Sequence, residues 1–458
     1  MNKIALLTCV ACCLAVVMPA DVQAQRVCGT GIKNQKMWAE RPAEFMLLRE
    51  RRQKAIATAL ANFSAGAAQK TTAQYPIPVV FHFILTPTQL TAIGNDTGIR
   101  RRVFSQLKSL NEDFNAKNAD STLIPIPFKS RFGNANIQFG LANTINSNTI
   151  IPGVELKVVS TGGTPIYDGQ VDCYTAKQNT AVGLPSWDVT KYLNIWVVNI
   201  TSGGAGVVVG VTTAPSTVGD NVGGHTIGPD EIGVALNYGA IGTREFASQY
   251  FVPGIEKGRT LTHEVGHFFE LMHIWGDDFG ACTVHSGGED DDFITDTPPE
   301  GNSQTCNSGV CPSFPKTDNC SPIFPGVMFM NYMDYVDDRA MQMFTPQQVA
   351  VMQFFLASES YSLTQNPQLL LTTGVSTVAA DAFRVYPNPA SDIIHVALTG
   401  KEKLLSIDVV NMLGQSIYHT SAGNATIYNL PLSDAARGIY FVQCHFAEGS
   451  LTKKIVLE

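Results

Sequence analysis

Apolar positions divide the chain before any motif is considered. Residues 4–18 form an apolar core behind Lys3, and Val22-Gln23-Ala24 places small residues at −3 and −1 of a cut after Ala24. That pattern predicts an export signal over residues 1–24. The run falls short of the roughly 20 residues a membrane-spanning helix needs, and no later segment could span, so no membrane span is expected in the mature form. Residues 39–67 are rich in helix formers. Residues 64–74 are small and polar, suited to a hinge. Residues 75–84 read as a strand. Residues 100–115 set Val103, Leu107, Leu110 and Phe114 at steps of four, three and four, one face of a helix. Further strands are expected at 135–142 and 192–200. The Gly/Val/Thr-rich stretch 202–220 should give a strand and loop before a helix from about 257 to 269. Residues 366–380 read as a linker. Beyond Phe383 the runs shorten and alternate, at 393–398, 404–410, 438–445 and 452–457, the signature of a small β-sandwich.

Composition narrows the class. The 458 residues are 45% hydrophobic and 15% charged, a globular balance, and a net charge of −8 leaves no footprint for nucleic acid. Of ten cysteines, three lie in the signal segment. Cys282, Cys306, Cys311 and Cys320 cluster within 39 residues. In an exported chain such a cluster points to disulfides, and the spacing lacks the paired C-x-x-C units of a zinc site. Cys28, Cys173 and Cys444 stand apart.

The chemistry lies in His263-Glu264-Val265-Gly266-His267-Phe268-Phe269-Glu270-Leu271-Met272-His273. His263 and His267 are one helical turn apart and can grip one zinc ion, with Glu264 beside it as a candidate base. On a continuous helix His273 would lie roughly 15 Å from His263 along the axis, at about 1.5 Å per residue. If all three bind one metal, the helix must end near Glu270 and turn back. Three histidines leave a fourth zinc position for water, which is how a hydrolytic site is built.

The motif resembles H-E-x-x-H-x-x-G-x-x-H of the metzincin proteases at every fixed position but one. Metzincins carry Gly where Glu270 stands. A non-Gly residue at positive φ costs about 1–2 kcal/mol, so Glu270 reads as a strained variant whose replacement by Gly should be neutral or stabilising. Asn331-Tyr332-Met333-Asp334-Tyr335 resembles the Met-turn, with Met333 beneath the metal and Tyr335 able to donate to the oxyanion. Pro78-Val79-Val80-Phe81-His82, Leu110-Asn111-Glu112-Asp113-Phe114, Tyr192-Leu193-Asn194-Ile195-Trp196-Val197 and Asp296-Thr297-Pro298 bring the resemblance closest to the pappalysin family, over about residues 75–360. The resemblance implies an α/β (α+β) catalytic domain with a mixed twisted sheet and an active-site helix. It also implies zinc at His263, His267 and His273, and a calcium ion on Asp292, the carbonyl of Ile294 and Thr297. The alternative for that loop is a solvated acidic run from Glu289 to Asp292. Cys282–Cys320 matches a family disulfide. The partner of the second would fall at Ala340, so Cys306 and Cys311 are left to pair with each other.

Cys28 could cap the zinc in a precursor, as in some relatives, or pair with Cys173. Arg49, Arg51 and Arg52 mark plausible activation cuts if the enzyme shares its relatives' taste for Arg. Val385-Tyr386-Pro387-Asn388-Pro389-Ala390, Asn411-Met412-Leu413-Gly414-Gln415, Gly438-Ile439-Tyr440 and Lys453-Lys454-Ile455-Val456 resemble the type A sorting domain of the type IX secretion system. That likeness implies export through the periplasm of a two-membrane bacterium to the surface or medium, with the secretion machinery as partner.

The expected organisation is a signal peptide at 1–24, a propeptide at 25–74, a protease domain at 75–365, a linker at 366–381 and a sorting domain at 382–458. The expected function is a secreted zinc metalloendopeptidase acting on proteins or peptides, made as a zymogen. The rivals are a non-catalytic binding or adhesion protein on a decayed protease scaffold, and a zinc hydrolase of a non-peptide substrate. Only Glu270 favours decay.

Overall fold

The computed structural model describes residues 26–65, 74–160, 167–168, 173–201, 207–222, 224–247, 249–276, 282, 292–307, 309–357, 359–371, 382–400, 404–411, 416–423, 425–446 and 449–458. The signal segment, the acidic residues Glu289, Asp290 and Asp291, most of the linker and residues 412–415 lie outside them.

Seven helices are described: α1 (Gly29–Glu40), α2 (Pro42–Ala65), α3 (Pro87–Ala92), α4 (Asn95–Asp113), α5 (Ile126–Lys129), α6 (Arg259–Phe268) and α7 (Pro346–Leu356). The strands of the first region are β1 (Arg26–Cys28), β2 (Tyr75–Leu85), β3 (Ile137–Leu141), β4 (Thr149–Ile151), β5 (Val154–Val158), β6 (Tyr167–Asp168), β7 (Leu193–Val198), β8 (Ile200–Thr201), β9 (Val207–Thr213), β10 (Asn221–Val222), β11 (His225–Thr226) and β12 (Gly233–Asn237). The main sheet runs β1-β9-β12-β7-β2-β5-β4, with β3 also on β2. It is mixed. β2 is parallel to β3, β5 and β7, while β12 is antiparallel to β9.

The apolar runs explain this placement. β2 and β7 are buried along nearly their whole length, as strands covered on both faces must be. On one face Ile99, Val103, Leu107 and Leu110 of α4, then Phe114, pack with Val265 and Phe268 of α6 and with α7 in a single core. The predicted helical stripe is therefore the buried one, though α4 begins five residues before the expected start. On the other face Trp196, Val208, Val211 and Cys173 form a separate cluster.

The N-terminal segment is more ordered than its sequence suggests. The stretch rich in helix formers is α2, α1 precedes it without such a signal, and the short β1 adds to the sheet edge in parallel with β9. Met37, Phe45 and Leu48 bury themselves against Val222 and Ile227.

The C-terminal region holds β13 (Phe383–Tyr386), β14 (Ile393–Leu398), β15 (Leu404–Asn411), β16 (Ser416–Ser421), β17 (Ile427–Pro431), β18 (Gly438–Phe446) and β19 (Gly449–Leu457). They form two antiparallel sheets, β13-β14-β17 and β16-β15-β18-β19, around one core that includes Phe383, Ile394, Val409, Val442 and Ile455. The expected all-β sandwich is present.

Candidate active site

Helix α6 positions the first two histidines and its end positions the third. Its N-terminus is held by the Asp338 carboxylate, which accepts from the main-chain N–H of Lys257 at 2.8 Å and of Arg259 at 3.2 Å, a favourable place for an anion. The helix stops at Phe268. Glu270 N–H then bonds His267 O at 2.9 Å and Leu271 N–H bonds Gly266 O at 3.0 Å. Those two bonds define a Schellman end, whose C′ residue is usually Gly because it takes the left-handed conformation. Glu270 occupies it with φ 69°. The chain then turns back, and His273 joins His263 and His267 as the spacing required.

One ligand atom each from Cys28, His263, His267 and His273 lies within 4.8 Å of the others, and all four residues are buried. The hydrogen bonds assign the ring tautomers. His263 Nδ1 contacts the Tyr332 carbonyl at 2.7 Å and His267 Nδ1 contacts the Leu271 carbonyl at 2.8 Å. A carbonyl only accepts, so each Nδ1 carries hydrogen and each Nε2 keeps its lone pair for the site. The Trp275 ring stacks on His273 at 4.2 Å and 7°. Three imidazoles and a thiol are donors suited to zinc. Burial and the nearby Glu264 carboxylate push the Cys28 thiol well above its ordinary range. A cation at the shared point is the agent that reverses such a shift.

Glu264 is wholly buried, and its Oε2 accepts from Thr212 Oγ1 at 2.7 Å. Gly210 on β9 makes room for it: a Cβ there would stand 2.6 Å from Glu264 Cγ. Met333 is buried beneath α6, where a Cβ on Gly266 would come within 2.5 Å of its sulfur. The Tyr335 ring lies 5.0 Å from that of His273, and its hydroxyl donates to the Cys28 carbonyl at 3.4 Å. Thr212, Gly210, Trp275 and the Tyr332 carbonyl escaped the sequence reading. Only the Gly-rich stretch around β9 offered a signal for any of them.

The remaining expectations separate. Asp292, Ile294 and Thr297 come together: Thr297 Oγ1 lies 2.9 Å from Asp292 Oδ1 and 2.8 Å from the Ile294 carbonyl. Cys282–Cys320 and Cys306–Cys311 are disulfides. Cys173 lies buried in the core on the other face of the sheet and forms no disulfide with Cys28.

Arg49, Arg51 and Arg52 sit within α2 and reach groups of the catalytic region. Arg49 bonds the Gly276 carbonyl and lies over the Phe293 ring. Arg51 meets Asp220 at 3.0 Å, and Arg52 meets the Glu270 carboxylate at 3.7 Å. Glu270 also accepts from Ser216 N–H at 3.3 Å. Its carboxylate therefore has partners, and it is more than a tolerated substitute for Gly.

Comparisons agree with this geometry. Residues 176–357 match the family model described as pregnancy-associated plasma protein-A, and residues 384–458 match the secretion system C-terminal sorting domain. Mirolysin in complex with compound 9 is 33% identical with TM-score 0.54, covering 65% of this chain and 99% of that one. A promirolysin mutant from Tannerella forsythia is 29% identical with TM-score 0.58, covering 75% and 99%. An extracellular metalloprotease of Arthroderma benhamiae is 39% identical over 99 residues, 21% of this chain and 29% of that protein. The chain thus spans under a third of the length of that relative. The zinc-type histidine cluster, the Met-turn and the near full-length match to mirolysin lead to one conclusion: the chain belongs to the pappalysin family of metzincin metalloproteases and ends in a secretion-system sorting domain.

Proposed function

We propose that this protein is a secreted zinc metalloendopeptidase made as a latent precursor and exported by a type IX system across the periplasm and outer membrane. The observation that carries the proposal is the convergence of His263, His267 and His273 beside the buried Glu264. When bound, zinc supplies Lewis-acid polarisation of the scissile carbonyl and makes an attacking water more acidic. Glu264 takes the proton from that water and delivers it to the leaving amine. The Thr212 hydroxyl, 2.7 Å away, fixes the carboxylate for both steps. The Tyr335 hydroxyl donates to the oxyanion as charge builds there.

Latency follows from what occupies these groups. With zinc bound, the Cys28 sulfur would be a fourth donor beside the three histidines, where the reacting water would otherwise sit. Tyr335 is engaged by the Cys28 carbonyl. Gly31 packs so close that a Cβ would stand 2.6 Å from the Tyr335 oxygen. Strand β1 covers the edge of β9 on which an extended peptide could otherwise add. Lys33 and Thr30 reach the same strand through the main chain of Thr212. We assign residues 25–74 as the propeptide, residues 75–365 as the protease and residues 382–458 as the sorting domain. Calcium on Asp292, Ile294 and Thr297 is proposed as a structural ion.

The test is Glu264→Ala in the processed enzyme. It should keep zinc and lose about 10²–10⁴-fold in peptide hydrolysis, as removal of a general base does. Undiminished turnover would reject the mechanism. Zinc retention without hydrolysis of any peptide by the unaltered enzyme would favour the binding-protein reading.

A further inference from the structure

Asp113 ends α4 and is 2% exposed. It has no part in the chemistry above, yet its carboxylate reaches both halves of the histidine site. Its Oδ2 accepts from the Thr262 hydroxyl at 2.8 Å, and Thr262 directly precedes His263 on α6. Its Oδ1 accepts from the Tyr332 hydroxyl at 2.7 Å, and Tyr332 directly precedes Met333 in the Met-turn. The main-chain carbonyl of Tyr332 is the group that takes His263 Nδ1–H. A loop from Asp113 through Tyr332 to His263 thus closes back through Thr262.

The loop is anchored on every side. Tyr332 N–H bonds Met343 O at 2.9 Å, and its ring packs on Phe344 at 4.8 Å. Arg259, in the first turn of α6, lies 3.5 Å from Asp113 Oδ1. Its guanidinium also forks onto Asp120 with two bonds of 2.6 Å. Two hydroxyls donate to Asp113, one to each oxygen, and the Arg259 guanidinium lies beside Oδ1.

We propose that Asp113 is a positioning residue for the catalytic metal. It ties the zinc helix to the Met-turn, and so holds the Tyr332 carbonyl where it fixes the His263 ring with Nε2 turned toward the ion. The proposal rests on the zinc reading of the three histidines. It differs from a general stabilising role in what it moves. Loss of a merely structural link lowers the unfolding midpoint and leaves the affinity of the folded site alone. Loss of a positioning group changes the affinity of the folded site.

The experiment compares the full chain with Asp113→Asn, Tyr332→Phe, the double variant, and a core control, Phe139→Leu, in the same hydrophobic cluster. Zinc affinity is measured by chelator competition, and stability by urea unfolding after zinc removal. Asn offers one acceptor oxygen where Asp offers two, and Phe removes only the hydroxyl, leaving the Tyr332 carbonyl in place. Loss of a partner behind a metal ligand typically weakens binding about 10–100-fold, and that loss is expected in both single variants. The double variant should be no worse than the weaker single, because both break one linkage. Phe139→Leu should lower the urea midpoint without changing zinc affinity. Zinc affinities within twofold of the unaltered chain in both single variants would overturn the proposal, as would penalties that multiply in the double variant. If Asp113→Asn does not fold, Tyr332→Phe decides alone. Failure of the unaltered chain to bind zinc would instead reject the zinc reading itself.

Discussion

Replacing Glu270 by Gly should change stability with opposite sign in the precursor and the processed enzyme. Glu270 holds φ at 69°, and relief of that strain is worth about 1–2 kcal/mol. Gly returns about 0.4–1 kcal/mol of that through the freedom it adds to the unfolded chain. On backbone grounds alone the change is mildly stabilising. The carboxylate alters the balance. In the precursor it faces Arg52 at 3.7 Å, with side-chain exposures of 1% for Glu270 and 13% for Arg52. Removing one partner of a fully buried pair costs about 3–5 kcal/mol. The long separation and the partial exposure of Arg52 reduce that to about 1–3 kcal/mol, the range for a buried polar group deprived of its partner. The precursor should therefore lose about 1 kcal/mol net in Glu270→Gly. Once residues 25–74 have gone, Arg52 is gone too, and the face it covered opens to water, so only the backbone contribution remains. The same substitution should then stabilise by up to about 1 kcal/mol. Urea unfolding of both forms, each with and without the substitution, gives the four numbers. Glu270→Gln separates charge from backbone. It keeps the strained φ, so it should weaken the precursor and give little or none of the gain of Glu270→Gly in the processed form. Equal shifts of the same sign in both forms would refute the coupling of Glu270 to Arg52.

Cys28→Ala should give a precursor with measurable peptidase activity and faster processing, read by hydrolysis of a quenched peptide and by gel. Latency unchanged by the substitution would leave β1 and α1 as a purely steric block. Calcium added to the zinc-loaded chain should raise the melting temperature by mass action, and Asp292→Ala should remove that response. A melting curve indifferent to calcium would assign the Asp292–Thr297 contacts to a self-sufficient turn.

Much of the site was legible because it is written locally. His263, Glu264 and His267 share one helical face, and arithmetic on the rise of that helix already demanded a break before His273. The break came where Glu270 stands, in the left-handed conformation its position implied. The stripe of Val103, Leu107, Leu110 and Phe114 was legible for the same reason, since a period of 3.6 leaves a trace in the sequence. Helix α1 was not. Cys28-Gly29-Thr30-Gly31 reads as a loop, and the helix that begins there is held by tertiary contacts: Lys33 on Thr212 O and Met37 in an apolar cluster. Tertiary packing overrode weak local propensity, which is its usual effect on short helices.

What stayed hidden shares one physical character: each contact joins residues far apart in sequence and carries no periodicity. Arg52 and Glu270 are separated by more than two hundred residues, so the basic patch on α2 did not disclose its partners on the catalytic region. Asp113 and Tyr332 are 219 apart, and Thr212 lies 52 before Glu264. In each case the sequence shows a polar residue among apolar neighbours and cannot say which distant group it satisfies. Burial makes these residues consequential, because a polar group removed from water must find its partner inside the fold or cost stability. The histidines therefore give the chemistry. The buried partners brought in by β9, α4 and the Met-turn determine whether those histidines stand in the geometry the chemistry requires.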